Sequence, residues 1–194
     1  MKQIIAICGL MLMLVLSGSV LADSAADKNT GYKILTLNDV TRLMKKEGFF
    51  SKCYDWNRAY CNPKGDFANN YKGETLQGQP VVLDRKSGLM WHRGGTYKSM
   101  RFKDAEAWIA ELNRSGYAGF KDWRFPTLRE AATLLENRRK NGSLYIDAVF
   151  SKEQGWIWTG DLCSSSGGWV VTFSGGTVAK PGHGLYYVRP VRSL

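Results

Sequence analysis

The sequence is poor in the residues from which metal and redox sites are built. Its 194 residues include two histidines, His92 and His183, and four cysteines, none of them spaced as Cys-x-x-Cys. Zinc sites need three or four histidine, cysteine or carboxylate ligands, often at short spacings. We therefore expect neither a metal site nor a cofactor.

Recognisable catalytic patterns are also missing. No Ser-His-Asp arrangement stands out, and the carboxylates are too scattered along the chain to nominate the acid pair that a glycosidase uses. The sequence indicates binding more clearly than any reaction. We therefore do not expect an enzyme.

The N-terminus has the pattern of an export signal. Met1-Lys2-Gln3 is a short positive start, residues 4–16 are almost entirely apolar, and Val20-Leu21-Ala22 resembles a cleavage site. We expect a signal peptide at residues 1–22 and export to the periplasm or beyond the cell. The apolar run is shorter than the ~20 residues of a spanning helix, so no transmembrane anchor is expected after cleavage. An uncleaved signal anchor is the alternative.

Acidic residues are outnumbered by basic ones, and the formal net charge is +10. This excess favours polyanionic partners by non-specific attraction or by a formed site. For an exported protein, acidic polysaccharides and envelope surfaces rank above nucleic acid, which is not expected as a partner. The alternative is that the charge serves solubility alone.

Three cysteines remain after signal cleavage: Cys53, Cys61 and Cys163. In an oxidising compartment Cys53 and Cys61 are close enough in sequence to form a disulfide, which would contribute about 2–3 kcal/mol in the chain-entropy model. Cys163 is then left over. It is either a buried small apolar residue, which we prefer, or a thiol that pairs with a partner.

The exported chain divides into three parts. Residues 23–35 are small, polar and charged, and read as a flexible lead-in. Residues 36–79 form a small extension, and residues 80–194 are long enough for one compact domain. Because the extension is too small to build a core of its own, we expect it to pack on the domain and to be stapled by the disulfide.

The extension should contain one short amphipathic helix. Val40, Leu43 and Met44 recur at helical spacing from Thr36 onwards, and Gly48 ends the pattern.

The domain is predicted to begin with a hairpin and a helix. Residues 81–83 and 89–91 are strand candidates around a turn, and the helix carries an apolar stripe that stops near Gly116. The stripe consists of Phe102, Ala105, Trp108, Ile109 and Leu112.

A second domain helix is predicted after a sharp corner. Pro126 favours extended backbone at Phe125, while Thr127 and Glu130 have the spacing of a capping box. Just before the corner, Trp123 can fill a core and Arg124 can satisfy loop carbonyls. The inward residues of the helix would be Leu128, Ala131, Ala132, Leu134 and Leu135.

The remaining chain is rich in strand-forming residues. Residues 156–159, 169–173 and 186–189 are strand candidates, and residues 174–176 are a hairpin turn between strands. Two helices followed by antiparallel strands predict an α+β domain and exclude a parallel nucleotide-binding sheet.

These elements together resemble a known family. The segments that carry the resemblance, in order, are Ser87-Gly88-Leu89-Met90-Trp91, the helix with Ala105, residues 119–127 (GFKDWRFPT), residues 156–159, Trp169-Val170-Val171-Thr172-Phe173 with Gly175, and residues 187–192 (YVRPVR). From about residue 80 to the C-terminus the chain resembles the Lcl C-terminal domain family, named after the domain that closes a bacterial collagen-like adhesin.

The resemblance implies a C-type-lectin-like fold, related to the formylglycine-generating and sulfatase-modifying group, in an exported or surface protein. In the adhesin this domain is associated with binding of sulfated glycosaminoglycans and with trimers. A homo-oligomer is therefore open here, although this chain lacks the collagen-like region that would hold three copies together. In the closing motif, Arg189 is expected to cap internal carbonyls and Arg192 to be exposed.

The chain lacks sequence features that two related groups of proteins need for their functions. The chain has none of the Glu-Pro-Asn, Gln-Pro-Asp or Trp-Asn-Asp tripeptides with which calcium-dependent lectins read sugars. It also has only Cys163 in the domain, whereas formylglycine-generating enzymes need a cysteine pair. Calcium-dependent sugar binding and oxidase activity are not expected.

Candidate binding residues lie in four polar or glycine-rich loops, at residues 93–99, 138–142, 161–168 and 180–184, because loops on a packed scaffold commonly carry binding sites. Cations in these loops suit sulfate, carboxylate or phosphate, with arginine favoured for bidentate contacts. The candidates are Arg93, Lys98, Arg138, Arg139, Lys140, Lys180 and His183.

Each candidate has a plainer alternative. The cations at residues 138–140 also suit a solvated loop after a helix, and His183 suits a turn without function. The residues expected to hold the scaffold are Trp91, Trp123, Arg124, Pro126, Trp169 and Arg189. The partner is expected to be an acidic or sulfated polysaccharide or an envelope protein, with a structural subunit of an envelope complex as the alternative and a sulfatase-modifying type of enzyme ranked last.

Overall fold

The computed structural model describes residues 31–164, 167–182 and 184–194. The predicted signal peptide and most of the predicted lead-in lie outside these residues. The described residues form three α-helices and seven β-strands, as follows: α1 Leu37–Lys46, β1 Tyr71–Leu76, β2 Gln79–Asp84, β3 Leu89–His92, α2 Phe102–Ser115, α3 Leu128–Ala132, β4 Trp156–Ser164, β5 Gly167–Thr172, β6 Thr177–Ala179 and β7 Val191–Ser193.

The prediction of an α+β fold with antiparallel strands is confirmed. One sheet has the strand order β1-β2-β3-β7 and the other has the order β4-β5-β6, and every neighbouring pair is antiparallel. Within the described ranges, no helix is both long and apolar enough to cross a membrane.

Capping residues mark the starts of α1 and α3 and the end of α2. Thr36 caps α1 and Thr127 caps α3, each in a reciprocal capping box with the residue three positions later, and so satisfies backbone donors of the first turn. Helix α2 ends at Gly116, whose left-handed backbone (φ 70°) favours glycine.

The predicted second domain helix is shorter than expected. We predicted that it would reach Leu135, but α3 ends at Ala132. Beyond this point the backbone N–H groups of Thr133, Leu134 and Leu135 donate to carbonyls three residues earlier, and the Thr133 hydroxyl donates to the carbonyl of Glu130 at 2.7 Å. These tighter turns end the α-helix while both leucines remain buried.

The strand expected at residues 186–189 is also wrong. Only isolated bridges occur there, Tyr186 with Met100 and Tyr187 with Ile157. Pro190 has no N–H to donate to a ladder, and the closing strand β7 starts after it.

The N-terminal extension shares the main core with the domain. Its residues Val40, Met44, Phe49, Phe50 and Tyr60 are buried in one apolar cluster with residues from both sheets and from α3. Strand β1 also comes from the extension, and it pairs with β2 along its whole length. The extension therefore packs on the domain, as its small size led us to expect.

The predicted disulfide between Cys53 and Cys61 is confirmed, with the two Cα atoms 5.0 Å apart. Inside its loop, the Asn57 side-chain amide donates to the carbonyl of Lys52 and to the hydroxyl of Thr177 on β6. These bonds tie the loop to the second sheet. Cys163 is only partly buried against the main core, short of the burial that we preferred, and its sulfur lies 3.6 Å from the carbonyl oxygen of Gly167.

Candidate functional site

The corner before α3 is built as a scaffold. Trp123 is 2% exposed, and its indole donates to the carbonyl of Tyr117 at 3.0 Å. Arg124 donates to both carboxylate oxygens of Glu130, each at 2.7 Å. The buried Pro126 accepts the N–H of Gly160 through its carbonyl. These hydrogen bonds hold the chain in place at the corner.

Three further scaffold candidates lie in the interior. Trp91, Trp169 and Arg189 are each fully buried. The guanidinium of Arg189 donates to the carbonyls of His92, Arg93 and Ser151, and it lies 4.9 Å from the ring centre of Phe150. Burial lowers the pKa of Arg189 to about 9.

Arg192, the other arginine of the closing motif, was expected to be exposed, and this prediction is wrong. The Arg192 side chain is only 15% exposed, because its guanidinium pairs with Asp122 and covers the ring of Phe120 at 3.9 Å.

The contacts of the candidate binding residues do not link them into one site. Arg93 donates to the carbonyl of Val149, and Lys140 pairs with Glu136 at 2.7 Å. Arg138, Lys98 and Lys180 are exposed, and His183 lies outside the described residues. Of the candidates that the structure describes, only Arg139 joins a larger arrangement of cations and aromatic rings.

We call this arrangement the basic aromatic surface, and it consists of Lys52, Tyr54, Trp56, Arg139 and Tyr145. The Lys52 ammonium lies 5.4 Å from the ring centre of Tyr54 and 6.0 Å from that of Tyr145. The Arg139 guanidinium lies 5.5 Å from the Tyr145 ring centre. Tyr54 and Trp56 stack with ring planes 8° apart, and Trp56 is 57% exposed.

The surface is held by bonds to the turn between β5 and β6. The Tyr54 hydroxyl donates to the carbonyl of Gly175, and the N–H of Lys52 donates to that of Gly176, each at 2.8 Å. Gly176 has φ 66°, and a Cβ there would lie 2.9 Å from the Tyr145 ring. Glycine thus allows the turn to approach the aromatic ring, and the disulfide fixes the loop that carries Tyr54 and Trp56.

The arrangement has the chemistry of an anion-binding surface. Among the described residues neither Lys52 nor Arg139 forms an ion pair with a carboxylate. A guanidinium can bind sulfate or carboxylate through two parallel hydrogen bonds, and an exposed indole offers an apolar face beside it. No group of three or more potential metal ligands is found in the described part of the chain.

Sequence reasoning found Arg139 and missed the other members. Tyr54 and Trp56 lie within the disulfide loop and Lys52 directly precedes it, and no binding role was predicted for any of the three. The available signal was that two aromatic residues, Tyr54 and Trp56, stand at every second position between the cations Lys52 and Arg58.

Comparison with known families decides the relationship. The family model of the Lcl C-terminal domain matches residues 80–192, more than half of the chain. The chain belongs to the Lcl C-terminal domain family. No curated protein and no solved structure matches it.

Membership in the Lcl C-terminal domain family suggests a surface-associated protein. The Lcl C-terminal domain contributes Arg139 and Tyr145 to the basic aromatic surface, whereas Lys52, Tyr54 and Trp56 precede the matched residues. The surface is therefore formed by residues of the family domain together with residues of the extension that precedes it.

Proposed function

We propose that this chain is an exported, non-catalytic binding protein that recognises polyanionic glycans through the basic aromatic surface. The observation that carries the proposal is the position of Lys52 and Arg139 on the ring of Tyr145, without carboxylate partners among the described residues, beside the exposed Trp56. Free cations attract sulfate or carboxylate groups, and aromatic faces accept the apolar face of a sugar ring.

We expect charge to attract the ligand to the protein and aromatic stacking to position it on the surface. Exposed charges are screened over about 8 Å at physiological ionic strength, so the attraction from the net charge of +10 weakens as salt rises. The disulfide and the bonds to Gly175 and Gly176 fix the backbone of Lys52 and the ring of Tyr54 before a ligand arrives.

The test is retention on a sulfated-polysaccharide column. We expect the protein to elute at lower salt when Lys52 and Arg139 are both changed to Gln. The matched control changes Lys98 and Lys180 to Gln, which removes the same two charges from exposed positions outside the surface. Retention of this control should stay close to that of the unmodified protein.

Two outcomes would overturn the proposal. Equal losses in both double variants would show that net charge alone causes retention. Elution of the unmodified protein at the salt concentration of a non-binding protein would show that no polyanion is recognised. A Trp56→Ala variant tests the aromatic part, since it should reduce retention without changing the charge.

A further inference from the structure

A concave site separate from the basic aromatic surface lies at the His92 end of β3. We call it the aromatic pocket; it has a volume of about 350 Å³, and His92, Trp108, Tyr117 and Tyr97 line it together with Gln79 and Glu153. None of the residues of the basic aromatic surface lines it. Apolar clefts of this size with a few polar groups are the usual form of small-molecule sites.

His92 presents a fixed hydrogen-bond donor to this pocket. Its Nδ1 accepts the N–H groups of Gly94 at 3.2 Å and Gly95 at 2.7 Å, so the ring proton is on Nε2. Nε2 makes no hydrogen bond within residues 31–164, 167–182 and 184–194. Burial, with a smaller effect of the Arg189 charge, lowers the pKa of His92 to about 3. The imidazole is thus neutral and a donor at any physiological pH.

The pocket is formed before any ligand binds. Gly95 has φ 66°, and a Cβ there would lie 2.1 Å from the carbonyl oxygen of Val188. Thr96 accepts the N–H of Val188 through its hydroxyl and donates its own N–H to the carbonyl of Val188. The loop that carries the two glycines is therefore fastened to the domain, and His92 stacks on Tyr117 with ring centres 4.1 Å apart.

The pocket wall offers no cation that would pair with an anionic ligand. In a chain with 27 lysines and arginines, none of the residues that line the pocket is a cation, and Glu153 is its one charged residue. The buried guanidinium of Arg189 lies behind the wall, bonded to the carbonyls of His92 and Ser151, and it offsets the charge of Glu153. A wall with no net charge suits a neutral ligand better than an organic cation.

We propose that the aromatic pocket binds one uncharged sugar ring. The indole of Trp108 would stack on the apolar face of the ring, Nε2 of His92 would donate to a hydroxyl oxygen, and Glu153 and Gln79 would accept hydroxyl protons. This combination of an aromatic wall, one fixed donor and exposed acceptors matches a ligand that has an apolar face and polar edges. Binding here is independent of the polyanion-binding surface.

Ligand-observed NMR with glucose, galactose, mannose and N-acetylglucosamine tests this inference. We expect at least one of these sugars to bind, with an affinity that does not change between about 0.05 and 0.5 M salt. Trp108→Ala should weaken binding at least about tenfold, and Trp156→Ala, at a tryptophan outside the pocket, should leave it unchanged.

A second variant guards against loss of fold in Trp108→Ala. A Cβ at Gly94 would meet only Cε1 of His92, at 3.9 Å, so Gly94→Val should fill the pocket and block the sugar while thermal unfolding stays unchanged. Binding that survives Gly94→Val would overturn the inference. So would binding of choline in place of the sugars, absence of binding by all four sugars, or loss of sugar binding in the Lys52/Arg139 double variant.

Discussion

Removing the disulfide gives the most quantitative test of how the extension is held. Changing both Cys53 and Cys61 to Ala opens a loop whose ends are 8 positions apart in sequence. The chain-entropy relation for a loop of this length gives a loss of about 2.6 kcal/mol in the free energy of unfolding. For a protein of this size, that loss corresponds to a fall of roughly 5–10 °C in Tm.

Urea denaturation followed by tryptophan fluorescence measures this loss. The slope of the free energy against urea should stay the same if the variant unfolds in one step. Adding a reducing agent should reproduce the loss in the unmodified protein and leave the variant unaffected, which separates the disulfide from the cysteine side chains. A loss below about 0.5 kcal/mol would refute the reasoning, because Asn57 and its bonds to Lys52 and Thr177 would then hold the loop unaided.

Three further predictions concern the domain. Trp123→Ala should lower the free energy of unfolding by about 3–5 kcal/mol, measured in urea, because it empties a fully packed site and leaves the Tyr117 carbonyl without its donor. Gly95→Ala should destabilise the protein and abolish any ligand binding in the aromatic pocket, since the new Cβ meets a carbonyl oxygen at 2.1 Å; normal unfolding of this variant would contradict the loop geometry. Burial raises the pKa of Glu130, but its bonds with Arg124 outweigh this and leave the pKa below its ordinary value. The stability it contributes should be present above the unfolded pKa and be lost as pH falls through the folded one, so unfolding of Glu130→Gln, scanned from neutral to acid pH, should depend less steeply on pH.

Short sequence patterns were sufficient to predict the elements that depend on interactions between nearby residues. The stripe on α2, the cap at Thr127, and the hairpin of β2 and β3 follow from spacing and backbone preference over a few residues. The end of α3 was missed because a side-chain bond from Thr133 to the backbone competed with continued helix.

The candidate site was harder to predict because its members are distant in sequence. Lys52 and Tyr145 meet at the turn between β5 and β6, where Gly176 accepts the Lys52 N–H and lies against the Tyr145 ring. No periodicity within either segment encodes that meeting. Arg139 could be named from its charge, but its place beside an aromatic ring depends on the folded chain.

Strand β1 makes the unit that folds larger than the domain that the family match defines. The family match begins at residue 80, inside the hairpin that β1 and β2 make together. A fragment cut at that residue would leave β2 as an open sheet edge and would uncover Trp169, which Tyr60 contacts at 6.2 Å between ring centres. Such a fragment should aggregate, because the unit that folds includes residues that precede the family domain.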